Sequence, residues 1–317
     1  MMTNPLVSRS AFVVGLLLAA AWTSSFAAEA GKPAVSASEA KTVEQAYPGL
    51  ASAALTHATL GELPKDIVLK AGDYTVAEQD LRAEIAKAPA SVQGQLRDNI
   101  LFLLEQRTTR ELLLREAKRS AGPAATDLTD RGLIQTMLDK LTVDAKVSDA
   151  EVAEFYEKNK DMVGGQKLEN VKDAIAGFLR QQKQQEIVGK HIQTLGQRTP
   201  IVVSASWLKP AAEAAQNNPV DKVRASGKPS LVDFGSKGCR PCDMLAPILE
   251  ALKKKYEGKA NVLFVSVREE QILASRYGIQ SIPVQIFFDA SGKEVFRHTG
   301  FWPQEELEKK LSEMGVK

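Results

Sequence analysis

A chain of 317 residues has room for about two domains. A net charge of +2, with 25% charged residues of both signs, gives no electrostatic basis for a nucleic-acid partner. Two cysteines in so long a chain exclude a scaffold stapled by disulfides.

Residues 1–27 read as an export signal rather than as part of the fold. Arg9 supplies the positive end, residues 11–22 (AFVVGLLLAAAW) form the apolar stretch, and the small residues around Ala27 and Ala28 suit cleavage. Twelve apolar residues fall short of the ~20 that a membrane span needs, although an uncleaved anchor is the other reading. Export places the protein in the periplasm or outside the cell, where thiols oxidise. Residues 28–64 read as a partly disordered leader. Its Ala/Ser-rich first half is flexible, and its second half has enough apolar residues to dock on the first domain.

Residues 65–205 read as mainly helical. A short strand at Ile67–Leu69 and a turn at Gly72–Asp73 lead into helix. Leu96, Ile100, Leu103, Leu104, Leu113 and Leu114 recur at helical spacing along one long helix over 95–118, ended by residues 121–123 (AGP). A further helix covers 130–141. Ser148 and Glu151 form a capping box ahead of Val152, Phe155 and Tyr156, and residues 163–165 (VGG) break that helix. Leu168, Val171, Ile175, Phe178, Leu179, Val188, Ile192 and Leu195 mark another long helix. Residues 200–207 are a second strand, suited to pair with 67–70 and close the domain.

The stretches IVLKAGDYTVAEQDL, LRDNILFLLEQRTTRELLLREAK, VSDAEVAEFYEKNKDMV and VKDAIAGFLRQQKQQEIVGKHIQTL together resemble the N-terminal module of SurA-like, parvulin-type periplasmic chaperones. In that family a parvulin domain separates the last two elements, and here only GGQKLEN does. The resemblance therefore implies a client-binding or dimerising scaffold without prolyl isomerase activity.

Residues 206–218, rich in Ala, Asn and Pro, read as a linker. From 219 onward the pattern is a short helix, a buried strand (SLVDF), a helix beginning at the cysteines, a second buried strand (NVLFVSV), a helix, a hairpin and a last helix. The fold class expected for the whole chain is multidomain, with a mainly α-helical module followed by an α/β domain over 219–317.

Cys239 and Cys242 are two residues apart at a helix start. A free thiol has a pKa of about 8.5, and unpaired N–H groups at a helix N-terminus favour the thiolate. Arg240 adds positive charge, and Pro241 suits a first helical turn. Cys239 is then the attacking thiol, and Cys242, one turn on, is placed to resolve a mixed disulfide. The spacing also suits a structural disulfide or half of a metal site, the latter needing two further ligands. Asp233 lies among Leu231, Val232 and Phe234, which argue for burial and hence a raised carboxyl pKa; the alternative is a surface acid at a strand end. His298 reads as a surface strand residue rather than a proton shuttle.

LVDFGSKGCRPCDMLAPILEAL and YGIQSIPVQIFF resemble the two halves of a thioredoxin active site, and the pattern as a whole is similar to secreted thioredoxin-like proteins. The resemblance implies a redox disulfide between Cys239 and Cys242, with Asp233 as the buried acid serving the resolving thiol. Pro247 matches the proline of the active-site helix and Pro283 the cis-proline beside the disulfide. Gly300 matches the glycine that admits a substrate backbone. Arg240, Pro241, Ile282, Pro283 and Gly300 would border the substrate.

The chain departs from the family at Gly238 and Gly235, where tryptophans are usual, at Phe264, where a lysine is common, and in its Arg-Pro middle pair. The first strand of a full thioredoxin is not evident. The implied activity is thiol–disulfide exchange on protein thiols and disulfides of exported clients, as a reductase, with no cofactor beyond the pair. A reductase there needs recharging by a transmembrane thiol electron transporter of the DsbD/CcdA type. A homodimer would let two redox domains face one substrate. Arg240 also suits an oxidase or isomerase, and a holdase with a secondary redox domain is the reading from another class.

Overall fold

The computed structural model describes residues 40–121, 128–160 and 165–317. The expected export signal, the first part of the leader, Gly122 and Pro123, and residues 163–164 lie outside the described residues. Among the described residues no helix is long and apolar enough to cross a membrane.

The N-terminal part is helical around one small sheet. It begins with α1 (Val43–Ala46), β1 (Thr59–Gly61), β2 (Ile67–Ala71) and β3 (Tyr74–Ala77). The helices α2 (Glu78–Lys87), α3 (Ala90–Asp98), α4 (Ile100–Ala121), α5 (Asp130–Leu141), α6 (Asp149–Lys158) and α7 (Leu168–Arg198) come next, and then β4 (Ile201–Ser204). The sheet order is β1-β4-β2-β3. β4 pairs antiparallel with β2, Leu69 opposite Val203 and Lys70 opposite Val202, so the expected closure of the domain is present. β1 and β3 are not evident from sequence. β1 is only three residues long and runs parallel to β4.

The expected leader is docked from Val43 on, so the end of its Ala/Ser-rich stretch, read as flexible, forms α1 and packs with the second half. Val43, Leu50, Ala54 and Leu55 are buried in the same core as Leu101, Leu104, Leu112 and Leu113. The buried carboxylate of Glu105 accepts hydrogen bonds from the backbone N–H groups of Ser52 (3.2 Å), Ala53 (2.9 Å) and Leu55 (3.2 Å). These bonds satisfy donors that a tight turn would otherwise leave unpaired in the core. The single helix expected over 95–118 is two, because Asn99 leaves helical geometry at φ −114° and its side-chain amide caps the carbonyl of Gln95 at 2.9 Å. The capping box is present as expected, with Glu151 N–H donating to Ser148 Oγ and Ser148 N–H to the Glu151 carboxylate. α6 packs on the first half of α7 through a separate cluster of Val152, Val171 and Ile175.

Residues 206–218 are not a linker. They form most of α8 (Ala205–Gln216), whose Leu208, Ala211, Ala212 and Ala215 are buried in the N-terminal core. The Ala-rich composition that suggests a loop is a stripe of small residues allowing close helix packing, and Pro210 is accommodated inside the helix.

The second half is an α/β domain: α9 (Pro219–Arg224), β5 (Ser230–Gly235), α10 (Arg240–Lys255), β6 (Asn261–Ser266), α11 (Gln271–Arg276), β7 (Val284–Phe288), β8 (Glu294–Thr299) and α12 (Gln304–Glu313). The sheet order is β6-β5-β7-β8, with β5 parallel to β6 and antiparallel to β7. Every residue of β5 and β7 is buried, as expected of central strands covered on both faces. α10 and α12 cover one face through Leu245, Leu249, Leu252, Leu307 and Leu311. α9 and α11 cover the other through Val220, Leu273 and Tyr277. Arg276 of α11 reaches across to the N-terminal half, donating to the Ala215 carbonyl at 2.9 Å and to Asn99 Oδ1 at 3.4 Å.

Candidate active site

β5 ends at Gly235, and residues 236–239 turn the chain into α10. Cys239 is the N-cap of that helix, Arg240 its first residue, and Pro241 sits within its first turn. Proline belongs there because the N–H it lacks would have no helical acceptor. The turn requires a left-handed residue, supplied by Gly238 at φ 80°. The Gly238 N–H also donates to the Asp243 carboxylate at 3.3 Å.

Cys239 and Cys242 are disulfide-bonded, with Cα atoms 5.3 Å apart. Cys242 is buried and Cys239 half-exposed, and Arg240 is exposed beside it. The outer sulfur is therefore the one that an incoming protein thiol or disulfide can reach. The helix N-terminus faces it, which favours negative charge on that sulfur when the bond opens. Pro247 lies inside α10 as expected.

Asp233 is fully buried, with Leu231 and Val232 before it and Phe234 after it. Burial pushes its carboxyl up to about 6, against an opposing hydrogen bond from Gln285. Gln285 Nε2 donates to Asp233 Oδ1 at 2.8 Å, and the two residues are register partners on β5 and β7. Asp233 Oδ2 has no hydrogen-bond partner among protein groups. It faces the point where a side chain at Gly235 would begin. A Cβ there would lie 3.3 Å from Oδ2, 3.4 Å from Cys242 Cβ and 2.9 Å from the Phe264 ring. Gly235 thus leaves the acid and the inner cysteine on two sides of one narrow gap, with Phe264 as its third wall.

Gln285 is a site residue that sequence reasoning missed. Its signal is one amide inside a run of apolar residues (VQIFF) in a strand expected to be buried, where a polar group needs a partner.

The Ile282–Pro283 peptide is cis and leads into β7. The last pair of the β5–β7 register is Phe234 with Val284, which brings Pro283 beside the turn carrying Cys239. Pro283 is buried and Ile282 half-buried. The Gly300 N–H donates to the Pro283 carbonyl at 2.8 Å, and Gly300 has φ 109°, which favours glycine. Ile282, Pro283 and Gly300 therefore sit together at the edge of the cysteine turn. His298, opposite Gln285 on β8, is half-buried rather than on the surface and stacks on Trp302 at 4.8 Å. Burial lowers its proton affinity, and Lys158 of α6 acts in the same direction. Among the described residues no three His, Cys, Asp or Glu side chains converge to hold a metal.

The C-terminal part of the chain is similar to known proteins. A model of the thioredoxin-like domain matches residues 216–315. A thioredoxin of Chlorobaculum thiosulfatiphilum is 39% identical over 101 residues, covering 32% of this chain and 93% of that protein. A thioredoxin of Staphylococcus aureus is 46% identical over 77 residues, covering 24% of this chain and 73% of that protein. The crystal structure of thioredoxin NaTrxh from Nicotiana alata is matched at 30% identity and TM-score 0.28, over 30% of this chain and 80% of that one.

Proposed function

Because the chain belongs to the thioredoxin-like family through residues 216–315, and is a thiol–disulfide oxidoreductase on that ground, we propose that it is an exported reductase of protein disulfides working through Cys239 and Cys242. The observation that carries this reading is the fully buried Asp233 sharing one gap with the inner cysteine, its carboxyl held up to about 6. A group so poised accepts a proton near neutral pH.

In the reduced protein, the Cys239 thiolate attacks one sulfur of a client disulfide, and the client's other sulfur leaves as a thiolate. Asp233 takes the proton from Cys242, whose sulfur then attacks Cys239. The Cys239–Cys242 disulfide forms, and the client departs as a dithiol after taking up protons. Two electrons pass from the pair to the client. Ile282, Pro283 and Gly300 border the place where the client backbone lies. The pair is returned to the dithiol by a transmembrane thiol electron transporter of the DsbD/CcdA type. The N-terminal half is a SurA-like scaffold that brings clients, or a second copy of the chain, to the cysteines.

Cys242→Ala tests the reading. Mixed disulfides formed by Cys239 then persist, and exported proteins are recovered on it by non-reducing electrophoresis; an empty trap counts against the enzyme reading. A potential below about −240 mV supports the reductase, and one near −120 to −180 mV supports an oxidase or isomerase, the direction that Arg240 favours. Full cellular function in a Cys239→Ser/Cys242→Ser variant would support a holdase instead.

A further inference from the structure

We propose that Gln285 is a positioning residue for proton transfer at the cysteine pair: its carboxamide fixes Asp233 Oδ1, leaves Oδ2 as the oxygen that exchanges a proton with Cys242, and serves both protonation states of the acid. The inference rests on the function proposed above and concerns the same site.

Asp233 and Gln285 are both fully buried, and neither Asp233 Oδ2 nor Gln285 Oε1 has a protein hydrogen-bond partner. The contact between them is a single N–H donated to Oδ1 at 2.8 Å. That bond commits Oδ1 and leaves Oδ2 toward the gap shared with Cys242 Cβ. A carboxamide carries both a donor and an acceptor. Its N–H steadies the carboxylate. After protonation on Oδ2, Oδ1 remains a carbonyl acceptor and keeps the same N–H. A lysine in this neighbourhood would support only the anion. Here the β6 neighbour of Asp233 is the uncharged Phe264, the α10 group facing it is Cys242, and the β8 group one register step beyond Gln285 is His298, on which Lys158 acts. Burial and Gln285 are accordingly the two influences on the acid. Proton transfer from Cys242 to Oδ2 creates no net charge beyond the thiolate that attacks Cys239, so a neutral partner that holds Oδ1 before and after the transfer suits the step.

The experiment uses the full chain, and Gln285→Leu removes the donor at similar volume. The Asp233 titration midpoint is read by 13C NMR of its carboxyl carbon, assigned by its absence in Asp233→Asn. The pH profile of protein-disulfide reduction is read in parallel. Loss of a hydrogen bond to a carboxylate raises the midpoint by about one pH unit and moves the rate profile the same way. A purely structural role would lower the melting temperature and leave both where they are, and that result overturns the inference. If Gln285→Leu does not fold, Gln285→Met is measured in the same way. The carboxyl titration needs no catalysis, so an inactive wild type would defeat the proposed function while the midpoint still decides the role of Gln285.

Discussion

The guanidinium of Arg276 is ion-paired with the carboxylate of Asp221 in a space closed to solvent by both halves of the chain. Asp221 also accepts from Tyr277 at 2.8 Å and from Arg224 at 2.9 Å, and Arg276 donates to Ala215 and Asn99. Removing one member of such a set leaves the others buried and short of partners. Arg276→Ala is expected to cost about 3–5 kcal/mol, with Arg276→Lys recovering only part because it lacks the planar fork. Calorimetry of the whole chain reads this; an unchanged melting temperature would refute it.

Asp233→Asn separates the acid's contribution to stability from its contribution to rate. The folded-state pKa of about 6 lies above the ordinary value of 3.8, so the folded state holds its proton to higher pH than the unfolded chain. Stability therefore falls as pH rises through that window, and the full cost of roughly 3 kcal/mol is present above it. The variant is expected to be more stable than wild type above about pH 6 and to lose this pH dependence, while its resolving step slows. Urea titrations at several pH values, beside single-turnover reduction of a protein disulfide, give both readings.

The gap beside Gly235 predicts a compensating pair. In Gly235→Ala the new methyl meets the Phe264 ring at 2.9 Å. Phe264 is 43% exposed on the edge strand and can give way, so the cost is moderate, about 1–2 kcal/mol. Phe264→Ala in the same chain is expected to restore most of it. Equal stability of the single and double variants would show that the crowding lies against Asp233 and Cys242 instead.

Glu105 governs the segment before the first sheet. Glu105→Ala leaves the N–H groups of Ser52, Ala53 and Leu55 unpaired in the core, a loss of about 3 kcal/mol. Glu105→Gln keeps an acceptor and is expected to fall between. Limited proteolysis around residues 47–58 reads the release of this segment. Cutting at the wild-type rate in Glu105→Ala would remove the anchoring role.

The cysteine half is legible in the sequence because its signals are local. Pro241 beside the cysteines marks a helix start, and Leu231, Val232 and Phe234 around Asp233 announce a central strand. The capping box at Ser148 and Glu151 is readable for the same reason, since both partners lie within one turn. The features that escape depend on distant partners. β1 is strand because Val202 of β4 lies beside Thr59, and no feature of residues 59–61 alone announces it. α8 looks like a linker because Pro210 and the Asn-Asn-Pro that follows the helix read as loop signals, although Leu208, Ala211, Ala212 and Ala215 recur at helical spacing on one buried face. Gln285 is easily overlooked because its partner is on another strand, and a polar residue among apolar ones takes its meaning only from what faces it.

Because α8 is packed into the helical half and Arg276 pins α11 against the same half, the cysteines are not on a tether among the described residues. A tethered domain searches a volume and meets any disulfide within its radius. A clamped one meets only what arrives along one approach. Selection then resembles a jig holding a workpiece, in which how a client is presented matters as much as which bond it offers.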